Sequence, residues 1–192
     1  MSTTVLNINP IATLTRDRFF ALCAANPDAK LELNRDGELV IMSPTGGETG
    51  VWNLEICTDL GLWNRQHQKG KAFDSSTGFS LPNGAQRSPD AAWIPLEKWN
   101  ALTPAQRQGF LPLCPDFVME LLSPSDSRSQ GMEKMDEYIN NGCRLGWLID
   151  PKNKQVAIYR ATKPVEIRQS PTSLSGENVL EGFVLNLENL WN

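Results

Sequence analysis

The amino-acid sequence predicts an α/β fold, in which helices flank a mixed central sheet that follows an N-terminal hairpin. Two short apolar runs near the N-terminus enclose residues typical of a turn. Residues 48–68 then repeat apolar positions at helical spacing, which favours a long helix. Finally, 117–122 and 145–149 are nearly all apolar, as is usual for central strands covered on both faces. Strands and helices alternate too irregularly for a doubly wound sheet.

The hairpin is predicted by its turn. The tetrapeptide Asn34-Arg35-Asp36-Gly37 separates two extended runs, and Gly37 can adopt a positive φ. A short helical pattern over 11–26 precedes it. The apolar positions of the two runs are Leu31, Leu33, Leu39 and Ile41.

Residues typical of helix caps and helix ends predict where the later elements begin and end. Gly70 is a plausible stop for the long helix, and Thr103-Pro104 opens a short helix inside an insertion at 95–114. Ser127 forms a capping pattern with Gln130 that predicts a helix over 128–141, ended by Gly142. The remaining predicted strands are short pieces at Phe73 and 78–81, then 89–94, 156–159 and short pieces within 164–192.

Length and composition limit the class of protein. The chain of 192 residues suits a single domain over 1–192, and its 40% hydrophobic content is ordinary for a globular protein. We find neither a signal peptide nor a run of about 18 apolar residues, so we expect a cytoplasmic protein without membrane association. The four cysteines are widely spaced, which favours free thiols in a reducing compartment. A net charge of −4 argues mildly against non-specific DNA binding without excluding DNA as a partner.

Two acids lie in otherwise apolar strands. Asp90 opens the short strand at 89–94, and Glu120 stands inside Phe117–Leu122. A buried carboxylate costs several kcal/mol unless it is paired, and two neighbouring carboxylates repel each other. A shared divalent cation would resolve both problems, and Mg²⁺ suits one or two carboxylates with waters and phosphate oxygens. The alternative is that each acid pairs with an Arg or Lys. Lys134 by itself fits an ordinary surface lysine paired with Glu137 or Gln130.

Four segments together resemble the Uma-two family of bacterial endonucleases, which belongs to the PD-(D/E)XK, or restriction-endonuclease-like, superfamily. The resemblance extends from the hairpin to the C-terminus. The segments that carry it are Ser88-Pro89-Asp90, the run Pro115 to Asp126, Lys134-Met135-Asp136-Glu137-Tyr138, and Gly142 to Pro151.

This resemblance implies a restriction-endonuclease-like fold and a set of site residues. It implies that Asp90 and Glu120 hold Mg²⁺ (or Mn²⁺), and that a lysine orients or activates water. The position two residues after Glu120, where the superfamily pattern has Lys, is Leu122 here. The family supplies the lysine from the following helix, which makes Lys134 the candidate. The superfamily often adds a Glu on its first core helix, for which Glu48 is favoured over Glu55.

Two further residues carry other interpretations. Asp116 forms a second Pro-Asp pair, but at the start of its strand it could simply cap that strand. Tyr138 shares a helix face with Lys134, and a packing role for its ring is favoured over catalysis.

The leading hypothesis is a metal-dependent endonuclease that hydrolyses phosphodiester bonds in DNA. A catalytically inactive nuclease fold, used for binding or assembly, is the alternative from a different class. An enzyme for another phosphate-containing substrate also stays open, because fold does not fix function. The sequence does not decide the DNA preference, and it leaves open whether the chain forms a homodimer.

Overall fold

The computed structural model describes residues 3–9 and 11–191. Helices and strands are labelled in chain order. The helices are α1 (Arg16–Ala25), α2 (Gly47–His67), α3 (Leu96–Ala101), α4 (Pro104–Gln108) and α5 (Arg128–Asn140), with a final 3₁₀ turn at Glu188–Trp191. The strands are β1 (Thr3–Leu6), β2 (Lys30–Leu33), β3 (Leu39–Met42), β4 (Gly70–Asp74), β5 (Phe79–Ser80), β6 (Gln86–Arg87), β7 (Ala91–Pro95), β8 (Phe117–Leu121), β9 (Leu145–Asp150), β10 (Gln155–Arg160), β11 (Lys163–Gln169), β12 (Ser173–Ser175) and β13 (Val184–Asn186).

The central sheet has six strands in the order β11-β10-β9-β8-β7-β4. Strands β8 and β9 are parallel, and their neighbours pair antiparallel, so the sheet is mixed as the sequence predicted. Every residue of β8 and β9 is buried. The apolar runs that predicted central strands are therefore confirmed, because both faces of these strands are covered.

Two apolar layers cover the central sheet. On one face α2 and the C-terminal segment pack against it, with Ile56, Leu60, Trp63 and Trp191 in the same cluster as the strand residues. On the other face, Met135 and Tyr138 of α5 lie in a second buried apolar cluster, together with residues of the strands. The predicted arrangement of helices on both sides of the sheet is confirmed.

The N-terminal hairpin belongs to a second sheet. Strands β2 and β3 pair antiparallel around the predicted turn, where Gly37 has a φ of +78°. They join β1, β5 and β6 in a five-stranded sheet of order β1-β3-β2-β6-β5. The sequence predicted the hairpin and a strand piece over 78–81 that contains β5, but not β6 or the sheet that joins them, because β6 has only two residues and carries almost no pattern.

The ends of the long helix show how local chemistry sets the boundaries. Helix α2 stops at His67 because Gln68 adopts the left-handed conformation, with a φ of +53°, and its N–H bonds to the Asn64 carbonyl. Gly70, which was predicted as the stop, instead begins β4. A side chain at Gly70 would overlap the Ile94 carbonyl oxygen and the Trp93 ring, so glycine is needed for close approach of β4 and β7. None of the described helices combines the length and apolar character needed to cross a bilayer.

Candidate metal centre

Asp90 and Glu120 are brought together by the pairing of β7 with β8. The antiparallel register pairs Ala91 with Met119, so the next pair outward places Asp90 opposite Glu120. The Leu121 N–H donates to Asp90 Oδ2 at 2.9 Å, which fixes that carboxylate against β8. Asp90 is 6% exposed and Glu120 is 9% exposed. Two buried carboxylates thus lie side by side at the end of a strand pair.

Lys134 reaches Glu120 from α5. Its Nζ lies 2.9 Å from Glu120 Oε1. Ser127 caps the helix by accepting a hydrogen bond from the Gln130 N–H, as predicted. Gly131 has no side chain, and a Cβ there would press on Leu122 and Leu148, so this glycine lets α5 approach the sheet. The lysine therefore points into the site and not into solvent.

Tyr138 occupies the next turn of the same helix face. Its hydroxyl donates to Glu120 Oε1 at 3.0 Å, and the side chain is fully buried. Tyr138 and Lys134 thus bind the same carboxylate oxygen, and Glu120 Oε2 accepts no hydrogen bond from the described residues. The sequence favoured a packing role for this ring, and the structure adds a polar contact with the site.

Glu32 is a third buried acid, which the sequence analysis missed. It lies in β2 and is 1% exposed. Its Oε1 accepts from Lys134 Nζ at 3.0 Å and from the Ser88 N–H at 2.8 Å. The sequence does carry a signal for Glu32. It is an acid between two apolar residues of a strand, which is the same pattern that identified Glu120.

Arg87 joins Glu32 to α5. Its Nη1 lies 3.1 Å from Glu32 Oε2, and its Nε donates to Glu137 Oε2 at 2.5 Å. Glu137 was a candidate partner for Lys134 at helical spacing, but it pairs with Arg87 instead. The buried network therefore alternates in charge from Glu137 through Arg87, Glu32 and Lys134 to Glu120.

Burial and neighbouring charges shift the proton affinities in opposite directions. Burial, with the nearby Asp90 and Glu32 charges, raises the pKa of Glu120 to about 7, although Lys134 opposes the shift. Burial also raises the pKa of Asp90. For Lys134, burial alone would lower the pKa, but Glu120 and Glu32 outweigh it and raise the value. The Lys134 ammonium consequently stays charged at neutral pH.

Glu48 does not join these residues. It lies in the first turn of α2, its side chain is exposed, and it is absent from the lining of the cavity above Asp90. Thr49 and Asn53, four residues apart and so on one helix face, line that cavity instead. Asn53 Oδ1 is buried and has no hydrogen-bond partner among the described residues. The contribution of α2 to the site is thus Asn53 and Thr49.

Asp116, the acid of the second Pro-Asp pair, has a structural role. Its Oδ2 lies 2.7 Å from Lys98 Nζ, and its Oδ1 lies 3.8 Å from Arg144 Nη1. These ion pairs tie the start of β8 to α3 and to the entry of β9, away from the site.

A cavity of about 550 Å³ opens above the buried network. The β2–β3 hairpin forms one wall and α5 forms the other, while Asp90 and Glu120 lie in the lining with Lys134 and Glu32. A volume of this size suits a small ligand or a short piece of a larger one.

The donor set fits a hydrated divalent cation. Among the described residues, no group of three or more His, Cys, Asp or Glu side chains is arranged to hold a metal ion. Asp90 and Glu120 nevertheless each have one carboxylate oxygen that accepts no hydrogen bond from the described residues. Mg²⁺ commonly binds one or two carboxylates and completes its shell with waters and substrate phosphates. Glu32 is already neutralised by Lys134 and Arg87.

Comparisons with known proteins agree with this architecture. The model of the Uma2 family, described as "Putative restriction endonuclease", matches residues 16–188. A solved structure from Anabaena variabilis ATCC 29413, described as "a putative nuclease belonging to DUF820", is 20% identical with a TM-score of 0.76, and the match covers 92% of this chain and 97% of that one. At that identity the likeness shows the fold. No curated protein matches the sequence.

Proposed function

Because this chain belongs to the Uma2 family, whose model spans residues 16–188, we propose that it is a metal-dependent endonuclease hydrolysing phosphodiester bonds in DNA. The observation that carries this proposal is the pairing of Asp90 with Glu120 beside a charged Lys134 in one cavity. Lys134 offsets the charge of Glu120, but Asp90 has no ion pair among the described residues, so the two adjacent buried carboxylates should gain from binding a divalent cation.

Asp90 and Glu120 would hold Mg²⁺ or Mn²⁺ through their second oxygens. The cation, when bound, supplies Lewis-acid polarisation of the phosphoryl group and acidifies a coordinated water. The chain itself supplies the rest. The Leu121 N–H orients the Asp90 carboxylate, and Tyr138 with Lys134 holds the first oxygen of Glu120.

Lys134 would stabilise negative charge on the phosphate as the bond breaks. A preorganised ammonium in a partly dry site acts more strongly than one in water. Its side chain is 17% exposed, so it can meet a ligand in the cavity while Glu32 and Glu120 fix its position. Lys134 thus takes the part that the superfamily pattern assigns to the position of Leu122.

The second candidate is a nuclease fold kept for binding or assembly without turnover. One observation favours it: the Lys134 ammonium is already shared between Glu120 and Glu32, so a substrate phosphate has to compete with two carboxylates. The endonuclease is preferred because Glu120 Oε2 and one oxygen of Asp90 accept no hydrogen bond from the described residues and can take a ligand.

The test is a cleavage assay with single-stranded and supercoiled DNA in Mg²⁺ and in Mn²⁺, using wild type, Asp90→Asn and Glu55→Gln. Glu55 is an exposed acid on α2 outside the cavity, so its variant controls for the loss of one negative charge. The proposal expects metal-dependent cleavage by wild type and Glu55→Gln and none by Asp90→Asn. Wild type that is inactive with both metals on both DNAs, and whose melting temperature neither metal raises, would support the binding module instead.

A further inference from the structure

The charge of the cavity lining points to the form of DNA that enters it. Among residues 3–9 and 11–191, the lining holds nine carboxylate side chains and three cationic ones. Proteins that bind duplex DNA through its backbone neutralise many phosphates with Lys and Arg. A cavity whose carboxylates outnumber its cations cannot hold a long stretch of phosphates. A duplex carries more phosphate charge per unit length than a single strand does, so it is disfavoured more strongly.

Two of these three cationic side chains already form ion pairs with carboxylates, so they can bind few phosphates. Arg87 is buried between Glu32 and Glu137, and Lys134 is shared between Glu32 and Glu120. The third, Arg35, is exposed at the hairpin turn, where its Nε lies 3.7 Å from Asp36. Phosphate contacts are therefore limited to the scissile group and one or two neighbours.

The reacting groups also lie deep. Asp90, Glu120 and Glu32 are all under 10% exposed, with the hairpin and α5 rising on either side. A phosphodiester reaches them only by entering the cavity. A strand that is free of its complement can bend into such a space, while an intact duplex must first be unpaired or strongly deformed.

Neutral hydrogen-bonding groups supply the remaining polar lining. Gln130 and Asn140 face the cavity from α5, and Asn53 faces it from α2. Asn53 Oδ1 is a buried acceptor without a partner among the described residues, and such a group is costly until a donor arrives. Amide side chains recognise base edges, and the Watson–Crick edges are accessible only in unpaired nucleotides.

The geometry points to single-stranded DNA, or the unpaired end or flap of a duplex, as the substrate of this site, with the Asn53 amide group hydrogen-bonding a base of the entering strand. This inference rests on the proposed nuclease function. It extends that function by assigning the class of substrate and a specificity residue that the sequence analysis did not find.

The first experiment compares one labelled oligonucleotide, as a single strand, as a blunt duplex and as a duplex with an unpaired flap, with Mn²⁺ or Mg²⁺. We expect kcat/KM to be at least about tenfold higher for the single strand and the flap. With about two phosphate contacts, raising KCl from 50 to 200 mM should increase KM by less than about tenfold, whereas six to ten contacts would weaken binding by roughly 10³–10⁵. Cleavage of the blunt duplex at the rate of the single strand, or the steep salt dependence, overturns the inference and leaves the nuclease function standing. Absence of cleavage of every substrate overturns both.

The second experiment tests Asn53 against a matched asparagine. Asn53→Leu removes an unpaired acceptor at similar volume, so the melting temperature should rise while KM for the single strand increases several-fold. Asn64 lies on the same helix outside the cavity, where its Oδ1 accepts from Trp93 Nε1 at 2.9 Å. Asn64→Leu should lower the melting temperature and leave KM unchanged. An Asn53→Leu variant with unaltered KM on single-stranded DNA removes Asn53 from substrate binding.

Discussion

Replacing Glu120 by Gln should change how the stability of the protein depends on pH. Glutamine keeps an oxygen that can accept from Lys134 and Tyr138, but it cannot ionise. In the folded protein the pKa of Glu120 is about 7, against an ordinary value of 4.5. The folded state therefore binds this proton more tightly than the unfolded state does. Glu120 thus contributes stability that is present at low pH and is lost as the pH rises from about 4.5 to 7.

The size of the effect follows from the shift in pKa. Each unit of difference between the folded and unfolded values corresponds to about 1.4 kcal/mol, so the free energy of unfolding should change by about 2–3 kcal/mol between pH 5 and pH 8. Glu120→Gln has no titrating group at this position, so its free energy of unfolding relative to wild type should rise by about 2–3 kcal/mol from pH 5 to pH 8. For a chain of this length the corresponding difference in melting temperature is roughly 4–12 °C.

The measurement is urea unfolding of wild type and Glu120→Gln at several pH values in the presence of EDTA. The difference between the two proteins isolates Glu120, because the other titrating groups are common to both. A difference that stays constant from pH 5 to pH 8 refutes the reasoning, since it would mean that Glu120 ionises in the folded protein as it does in an unfolded chain.

Further predictions concern the buried ion-pair network, the packing at two glycines, and Glu48, the acid of α2 that lies outside the cavity. Arg87→Met leaves two buried carboxylates without their shared cation and should lower the free energy of unfolding by about 3–5 kcal/mol, measured by urea denaturation. Lys134→Met should be destabilising for the same reason and should abolish metal-dependent cleavage, whereas Lys134→Arg should recover much of the stability. Gly70→Ala forces a methyl group into a backbone oxygen and should cost about 1–3 kcal/mol in thermal melts, while Gly61→Ala, where the space is open, should be neutral or stabilising by up to about 1 kcal/mol. Glu48→Gln should cleave DNA at the wild-type rate, and a large loss of kcat would restore the role that the family pattern suggested.

The sequence predicted those elements whose signals are local. Glu120 was found because one charge interrupts an apolar strand, and the α5 boundaries followed from Ser127 and Gly142. The pairing of Asp90 with Glu120 followed from the family resemblance, and the β7–β8 register supplies its physical basis. Lys134 was placed by the same resemblance, and its contact with Glu120 depends on the close approach of α5 at Gly131.

Other parts of the site depend on contacts between distant segments. Glu32 is 102 residues from Lys134 in the chain, and only the packing of the hairpin sheet against α5 brings them together. Arg87 stands in a two-residue strand that has no detectable pattern. Glu48 was preferred over later residues of α2 because of its place in a family-like segment, but the rotation of the helix turns Asn53 toward the cavity. Helical spacing alone does not determine which face of α2 meets the site.

The central claim, that Asp90 and Glu120 form a divalent-cation site, is tested most directly by an anomalous difference map from crystals of the protein soaked in Mn²⁺. The account predicts a peak between the two carboxylates, roughly 2.0–2.3 Å from one oxygen of each. Soaked crystals of Asp90→Asn should lack the peak. Wild-type crystals in which Mn²⁺ binds elsewhere, or in which Lys134 still bridges Glu120 and Glu32 with no peak beside them, would contradict the assignment.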